Sequence, residues 1–283
     1  MKNLIIISSV LIILTTIIVS MLYYSTTEYF GSYKLENQDD IMIHNKIAED
    51  DTYYFTKFFY DGHIFSSLRE NNKLKTPISK KNKLLFVTFE NRQKEYIDIH
   101  NENISNYTKK WGYSYKFIKE CSSNVYWCKI EIVLNELLNG DYDYVIWLDS
   151  DTAIKNNQID IGSILNQYHS DIFVGSDNNK QFNLINAGVF IIKNTDIGKQ
   201  FLSDCLNGVN KICFNKDKSL KGIWAASCYE QGQMNLLIAN KYLKNTTILP
   251  NKYILNSATC NDNVFIMHLY RGSDNARKKC LLT

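Results

Sequence analysis

The stretch Val145-Ile146-Trp147-Leu148-Asp149-Ser150-Asp151 decides the fold class of this sequence. An uninterrupted apolar run of strand length comes first, and two carboxylates one residue apart follow it directly. In open α/β sheets, ligands bind beyond the carboxyl ends of buried strands. Carboxylates at such an end can converge on one Mg²⁺ or Mn²⁺ ion, because both ions prefer oxygen ligands. The stretch therefore predicts a strand that ends in a cation site, unless Asp149 and Asp151 merely begin a surface loop.

The sequence around this stretch alternates short apolar runs with amphipathic segments. Strands are predicted over residues 84–89, 113–118, 144–148, 173–175, 188–192 and 264–268. Helices are predicted over residues 92–109, 129–138 and 229–239. Strands that alternate with helices imply an α/β domain with a mostly parallel sheet. We therefore predict one such domain over residues 81–283.

Composition excludes two classes of protein. The chain has 283 residues, of which 45% are hydrophobic and 22% charged. This balance excludes a wholly disordered chain. The formal net charge of +3 is too small for its length to indicate a nucleic-acid partner.

The N-terminal segment predicts a membrane anchor. Residues 4–22 carry no charge, and such a length is enough for a helix to cross a bilayer. We predict a cytoplasmic tail at 1–3, a transmembrane helix at 4–24 and a stem at 25–80. Lys2 precedes the span, so the positive-inside rule predicts a single-pass type II protein that faces the Golgi or endoplasmic reticulum lumen. The alternative is a cleaved signal peptide, whose apolar stretch is typically shorter and ends in a small-residue cleavage site.

The seven cysteines allow two or three disulfides if the compartment is oxidising. Cys121 can pair with Cys128, and Cys260 with Cys280. The third bridge would then be shared among Cys205, Cys213 and Cys228. Because seven is odd, at least one cysteine is free or intermolecular.

The acidic pair also resembles the motif of haloacid-dehalogenase-type phosphatases, in which the first aspartate is the nucleophile. That motif has Thr or Val at its fifth position, where this chain has Ala153. It also usually follows the first strand of the sheet, whereas two predicted strands precede Asp149. Both differences argue against the phosphatase, which is kept as a rival hypothesis to be tested.

Several separated segments together resemble GT-A glycosyltransferases, in particular the galactosyltransferase family 34 group of xyloglucan xylosyltransferases and fungal α-galactosyl- and α-mannosyltransferases. The segments are residues 126–129, 141–154, 184–192, 229–235 and 267–272. The resemblance implies a Rossmann-like domain that joins a nucleotide-binding half to an acceptor half. It also implies a nucleotide-sugar donor, a divalent metal that is usually Mn²⁺ (Mg²⁺ is the alternative), and transfer with retention at the anomeric carbon.

The resemblance assigns a role to each matched position on the donor side. Asp149 and Asp151 would bind the metal and the diphosphate, and His268 would complete the metal shell. Asn186 and Gly188 would line the donor sugar.

Two further pairs of residues complete the implied site. Glu230 and Gln231 would face the reacting sugar or the acceptor as catalytic residues. Thr88 and Phe89, at the end of the first strand, would lie against the nucleotide base.

Each assignment has a purely structural alternative. His268 can be a hydrogen-bonded core histidine, and Asn186-Ala187-Gly188 a turn that leads into a strand. Glu230 can simply interact with a helix dipole. Lys129 and Arg271 can each bind phosphate or be ordinary surface cations.

The sequence thus predicts a metal-dependent glycosyltransferase that moves a sugar from a UDP- or GDP-sugar to a glycan or glycoprotein. Two alternatives remain. One is a membrane-anchored protein that binds a glycan or nucleotide on a degenerate transferase scaffold, and the other is the phosphatase.

Overall fold

The computed structural model of the chain describes residues 73, 74, 76, 79–177, 185–209, 213–221 and 228–283. The predicted anchor at 4–24 and nearly all of the predicted stem at 25–80 lie outside the described residues, so both stay predictions. Within the described part, none of the helices combines the length and apolar character that a membrane span requires.

Nine strands are described. They are β1 Leu84–Phe89, β2 Ser114–Ile118, β3 Tyr144–Leu148, β4 Thr152–Ile154, β5 Ile172–Ser176, β6 Ile185–Lys193, β7 Thr246–Leu249, β8 Ile254–Ser257 and β9 Ile266–Leu269. Six of them form one sheet in the order β2-β1-β3-β6-β5-β7. β1 pairs in parallel with β2 and β3, and β5 with β7, whereas β6 runs antiparallel to both β3 and β5. The predicted mostly parallel sheet is confirmed, with β6 as its reversed strand.

A second sheet of three strands has the order β4-β9-β8. β4 and β9 are antiparallel, and their register places Thr152 opposite His268. This small sheet therefore brings His268 beside the acidic pair that ends β3.

In the part of the chain that the structure describes, six α-helices lie between or after the strands. They are α1 Ile97–Trp111, α2 Cys128–Asn139, α3 Ile161–Leu165, α4 Asp196–Asn207, α5 Glu230–Leu237 and α6 Asp274–Leu282. A turn of π-helix at Ile238–Tyr242 follows α5. The side chain of Thr195 caps α4, and that of Ser273 caps α6. Each cap satisfies a backbone N–H that a helix start leaves without an internal partner.

Two apolar clusters cover the two faces of the large sheet. Side chains of β3 alternate between them, with Val145 and Trp147 in one cluster and Ile146 and Leu148 in the other. Helices α2 and α4 pack in the first cluster, and α1 and α3 in the second. Because both faces are buried, β3 is apolar throughout instead of alternating with polar residues.

The disulfides include the two predicted pairs, and they also assign the third bridge, which the sequence left undecided. Disulfides join Cys121 to Cys128, Cys213 to Cys228 and Cys260 to Cys280. Cys205 is buried in α4 as a free thiol.

Candidate active site

A tight turn after β3 presents the acidic pair at one edge of the large sheet. The backbone N–H and the side-chain hydroxyl of Thr152 both donate to the carbonyl oxygen of Asp149, at 3.0 and 2.8 Å. The N–H of Asp149 donates in turn to the carbonyl oxygen of Gly188 on β6, at 2.8 Å. These backbone bonds hold both carboxylates at the carboxyl end of β3, as the sequence predicted.

His268 faces this pair from β9. Its Nε2 lies 3.2 Å from Asp151 Oδ1 and 3.9 Å from Asp149 Oδ2. On the other side of the ring, Nδ1 lies 2.9 Å from Asn256 Oδ1. Asn256 is buried and also donates to the carbonyl oxygen of Ser176, so its amide oxygen can accept from Nδ1. That bond turns Nε2 toward the carboxylates.

The donor atoms of Asp149, Asp151 and His268 all lie within 4.8 Å of one another. Two carboxylates and one imidazole suit Mn²⁺, and histidine ligands that bind metals are commonly oriented by a bond to the second ring nitrogen. The three residues therefore form a possible metal-binding group, and their chemistry fits the cation that the sequence predicts.

Gly188 makes room for the histidine ring. A Cβ atom at this position would overlap the imidazole of His268. The resemblance assigns Gly188 to the lining of the donor sugar, which stays a prediction, and the structure shows in addition that the His268 ring approaches this glycine.

Neighbouring charges determine the protonation state of Asp151. Burial alone raises the pKa of Asp151, but His268 and Arg277 outweigh it and lower that pKa to about 2. Arg277 extends from α6 and lies 3.0 Å from Asp151 Oδ2. Burial lowers the pKa of His268, yet the Asp151 carboxylate more than compensates and raises it. Asp151 is therefore ionised over the whole physiological range.

Lys129 belongs to the site and is not a surface cation. Its side chain is only 9% exposed, and Nζ lies 2.9 Å from Asp149 Oδ1 and 3.1 Å from Glu230 Oε1. Burial lowers the pKa of Lys129, but these two carboxylates outweigh burial and raise it. A buried ammonium thus links the first aspartate of the pair to α5.

Glu230 and Gln231 begin α5, and both turn polar atoms toward the same space. Glu230 Oε2 and Gln231 Nε2 are buried and have no hydrogen-bond partner among the described residues. The remaining oxygen of Gln231 accepts from the N–H of Ala187 at 2.9 Å, which fixes the amide. Burial outweighs Lys129 and raises the pKa of Glu230. A buried polar atom without a hydrogen bond lowers the stability of the fold, and a ligand that hydrogen-bonds to it removes this cost.

Two cavities meet at the acidic pair. The first has a volume of about 270 Å³ and is lined by Tyr126, Lys129, Asp149, Asp151, Asp177, Asn186, Gly188, Tyr229, Glu230, Gln231, His268, Tyr270 and Arg271. The second has a volume of about 260 Å³ and is lined by Phe89, Glu90, Asn91, Arg92, Tyr96, Val125, Tyr126, Lys129, Trp147, Asp149, Ser150, Asp151 and Arg277. A ligand that extends through both would pass over the acidic pair.

The structure brings together nearly all of the predicted site residues. The first cavity contains Asp149, Asp151, Asn186, Gly188, Glu230, Gln231 and His268, and the second contains Phe89. Thr88 is the exception. It is fully buried, and its hydroxyl lies 3.1 Å from Nε2 of His100 on α1, outside both cavity linings.

Several residues of the site were not predicted. Glu90 and Arg92 follow β1, where the Arg92 guanidinium binds both oxygens of the Glu90 carboxylate at 2.8 and 2.7 Å. Ser150 donates to Glu90 as well, at 2.9 Å. The one available signal was their position at the carboxyl end of a buried strand. Nothing local to the sequence indicated Arg277.

The sequence matches no family model and no curated protein. Solved structures do match. A glycosyltransferase involved in the glycosylation of the major capsid of PBCV-1 gives a TM-score of 0.51 at 14% sequence identity, over 71% of this chain and 100% of that one. The glycosyltransferase GlyE of Streptococcus pneumoniae TIGR4 gives 0.45 at 13% identity, over 72% of this chain and 61% of that one.

The first of these likenesses establishes the fold. This chain shares the mixed α/β fold of a glycosyltransferase.

Proposed function

We propose that this protein is a metal-dependent glycosyltransferase, which moves a sugar from a nucleoside-diphosphate donor to a glycan or glycoprotein acceptor. One observation carries the proposal. The possible metal ligands Asp149, Asp151 and His268 lie in one cavity with Glu230 and Gln231, whose buried polar atoms lack partners among the described residues. The fold shared with a solved glycosyltransferase supports the same conclusion.

We assign different parts of the donor to the two cavities. The nucleoside would occupy the second cavity, where Phe89 offers an aromatic ring and the Glu90–Arg92 pair offers polar contacts. The diphosphate would lie over Asp149 and Asp151, and the sugar would enter the first cavity beside Asn186. Uridine or guanosine diphosphate is the proposed carrier.

A divalent cation, for which we propose Mn²⁺, would be held by Asp149, Asp151 and His268 and would supply positive charge to the departing diphosphate. Lys129 adds a second fixed positive charge at the same place, because its ammonium is buried between Asp149 and Glu230. Such a preorganised charge acts strongly where water is excluded.

Glu230 is the proposed catalytic carboxylate. Lys129 holds its Oε1, which leaves Oε2 toward the cavity to position the sugar or to approach the reacting carbon. Gln231, with its oxygen bound to Ala187, has its amide nitrogen left for the same ligand. We propose retention at the anomeric carbon, in line with the resemblance to family 34. Either front-face attack or a covalent intermediate on Glu230 would produce it.

We also propose the topology that the sequence predicts: a type II protein with its anchor at 4–24, a stem at 25–80 and the catalytic domain in the Golgi or endoplasmic reticulum lumen. The three disulfides support an oxidising compartment, since such bonds are rare where thiols are kept reduced.

Thermal unfolding of the full chain in detergent, with a panel of nucleotide sugars and with or without Mn²⁺, tests the function. A ligand at 100 times its Kd adds about 2.7 kcal/mol to apparent stability. We expect one nucleotide sugar to stabilise only with Mn²⁺, and Asp151→Ala to remove the effect. Asp141→Ala is the matched control, because Asp141 is 93% exposed and pairs with Lys83 at the surface.

The rival hypotheses predict different results. A degenerate scaffold would bind a nucleotide sugar without transferring or hydrolysing it. A phosphatase would release phosphate from p-nitrophenyl phosphate in a reaction that needs Asp149 but not His268. Either result would replace the proposed function.

A further inference from the structure

Two aromatic rings line the first cavity, and one of them is exposed. Tyr126 is 46% exposed, and its ring centre lies 4.9 Å from that of Tyr229 in an edge-to-face arrangement. The adjacent Val125 is 49% exposed and lines the second cavity. Large exposed apolar side chains are few among the described residues, and two of the five are these neighbours. Such a concentration beside a polar cavity indicates a binding surface.

The loop that carries Tyr126 is firmly held. The Cys121–Cys128 disulfide closes it, and the buried indole of Trp127 donates to the carbonyl oxygen of Cys228 at 3.1 Å. Ser122 donates to Glu131 on α2 at 3.0 Å. A ring presented by a loop already in place loses little conformational freedom on binding.

Polar groups line the same cavity as the rings. Asp177, Tyr270 and Arg271 line the same cavity as Tyr126 and Tyr229. Arg271 has a φ of 62°, a left-handed conformation that is costly for a residue other than glycine and is concentrated at functional sites. The first cavity thus combines two aromatic rings with charged and hydroxyl groups.

A pyranose ring has matching chemistry. One face presents C–H groups that pack on aromatic carbon, and the rim presents hydroxyls that bind carboxylate and guanidinium groups.

We propose that Tyr126 and Tyr229 form the stacking wall of an acceptor subsite for a pyranose ring, whose hydroxyls bind Asp177 and Arg271. The inference rests on the proposed function and deepens it. The acceptor hydroxyl belongs to a sugar and not to a bare serine or threonine side chain.

The test uses the full chain with saturating nucleoside diphosphate and Mg²⁺, and saturation-transfer NMR with methyl glucoside, galactoside and mannoside. We expect at least one glycoside to bind, with the strongest saturation on C–H protons of one ring face. Tyr126→Ala should weaken its Kd about tenfold, whereas Tyr126→Phe, which keeps the ring, should hold it within about twofold. Leu138→Ala is the control, because Leu138 is 59% exposed and lines neither cavity.

Three outcomes would overturn the proposal. The first is binding of a serine- or threonine-containing peptide but of no glycoside. The second is an unchanged glycoside Kd in Tyr126→Ala. The third is that Tyr126→Ala weakens the binding of the nucleoside diphosphate and not that of the glycoside, since Tyr126 also lines the second cavity. If the wild-type chain binds no nucleoside diphosphate at all, the proposed function fails, and this is measured separately from glycoside binding. The ring-face saturation pattern of the wild-type chain tests the subsite even if a variant fails to fold.

Discussion

At the scale of single residues, Gly188 and His268 form an interlocked pair. The imidazole ring occupies the place where any side chain at position 188 would begin, and Asn256 holds the ring there. The resemblance predicted that Gly188 lines the donor sugar, but the sequence contained no signal that a residue of β9 packs against it. The contact joins two strands that lie far apart along the chain.

Gly188→Ala should therefore displace His268 without unfolding the protein. We expect Mn²⁺ affinity to fall about 10- to 100-fold, the usual effect of disturbing the group that orients a ligand. Isothermal titration with Mn²⁺ measures this. Leu138→Ala is a suitable control, since Leu138 is 59% exposed and lines neither cavity. Unchanged affinity in Gly188→Ala would exclude His268 from the metal group.

Lys129 neutralises two carboxylates in a nearly dry environment, where the loss of one partner leaves uncompensated charge. Lys129→Met should destabilise the fold by about 3 kcal/mol, because breaking a buried ion pair costs that order of free energy. Glu230→Gln in the same chain should recover part of the loss, so the two changes will not be additive.

Urea unfolding of the wild type, both single variants and the double variant measures this coupling. Lys116→Met provides the comparison, because Lys116 is 48% exposed where it pairs with Glu136. A pair of that kind is worth at most about 1 kcal/mol. Additive effects of the Lys129 and Glu230 changes would show that the 3.1 Å contact contributes nothing.

At the scale of secondary-structure elements, His100 joins α1 to two strands. Its Nε2 lies 3.1 Å from the hydroxyl of Thr88 on β1, and its Nδ1 lies 2.8 Å from the carbonyl oxygen of Thr152 on β4. The pleat of β1 explains the position of Thr88, because neighbouring side chains leave a strand on opposite faces. Phe89 consequently reaches the second cavity while Thr88 turns toward α1.

Burial lowers the pKa of His100 to about 4 from its ordinary value of 6.5. The unfolded chain therefore takes up a proton at a pH where the native chain resists it. The neutral His100 therefore contributes to the free energy of unfolding in full above about pH 6.5. This contribution is lost as the pH falls toward 4, and the loss is about 3 kcal/mol in all. The urea midpoint of His100→Gln should depend less on pH between 7 and 4 than that of the wild type. The exposed His169, changed to Gln, should leave the wild-type dependence intact.

Several long elements were predictable, but α4, with 12 residues, and α6, with nine, were missed, and so were the shortest elements. β1 and β3 have long apolar runs that only a buried strand explains, and α2 shows a clear apolar face. β4 has three residues and α3 has five, so neither is long enough to establish a period. The reversal of β6 could not be predicted either, since an apolar run reads alike in both directions.

At the scale of the whole molecule, the three disulfides lie around the site. Cys128 immediately precedes Lys129, Cys228 lies two residues before Glu230, and Cys280 lies on the helix that carries Arg277. Asp149, Asp151 and His268 were predictable, because a local motif and a family resemblance mark them. Lys129 and Arg277 become site residues only through the folded chain.

Iodoacetamide labelling checks the cysteine pattern. Burial raises the pKa of the Cys205 thiol well above its usual value, which keeps the reactive thiolate scarce. We expect no label on the native chain without reductant, one label after unfolding, on Cys205, and seven after unfolding with reductant. Mass spectrometry counts the labels. Any label on native Cys205, or more than one label before reduction, contradicts the structure.

The pairing of β4 with β9 also has a consequence for the order in which the site is assembled. Asp149 and Asp151 are synthesised before β5, β6 and β7 of the large sheet. His268 is synthesised only after β7, the last strand of that sheet. A nascent chain therefore presents two carboxylates without their histidine until β9 docks on β4. A metal held by all three residues would find its complete site only after β9 has paired with β4.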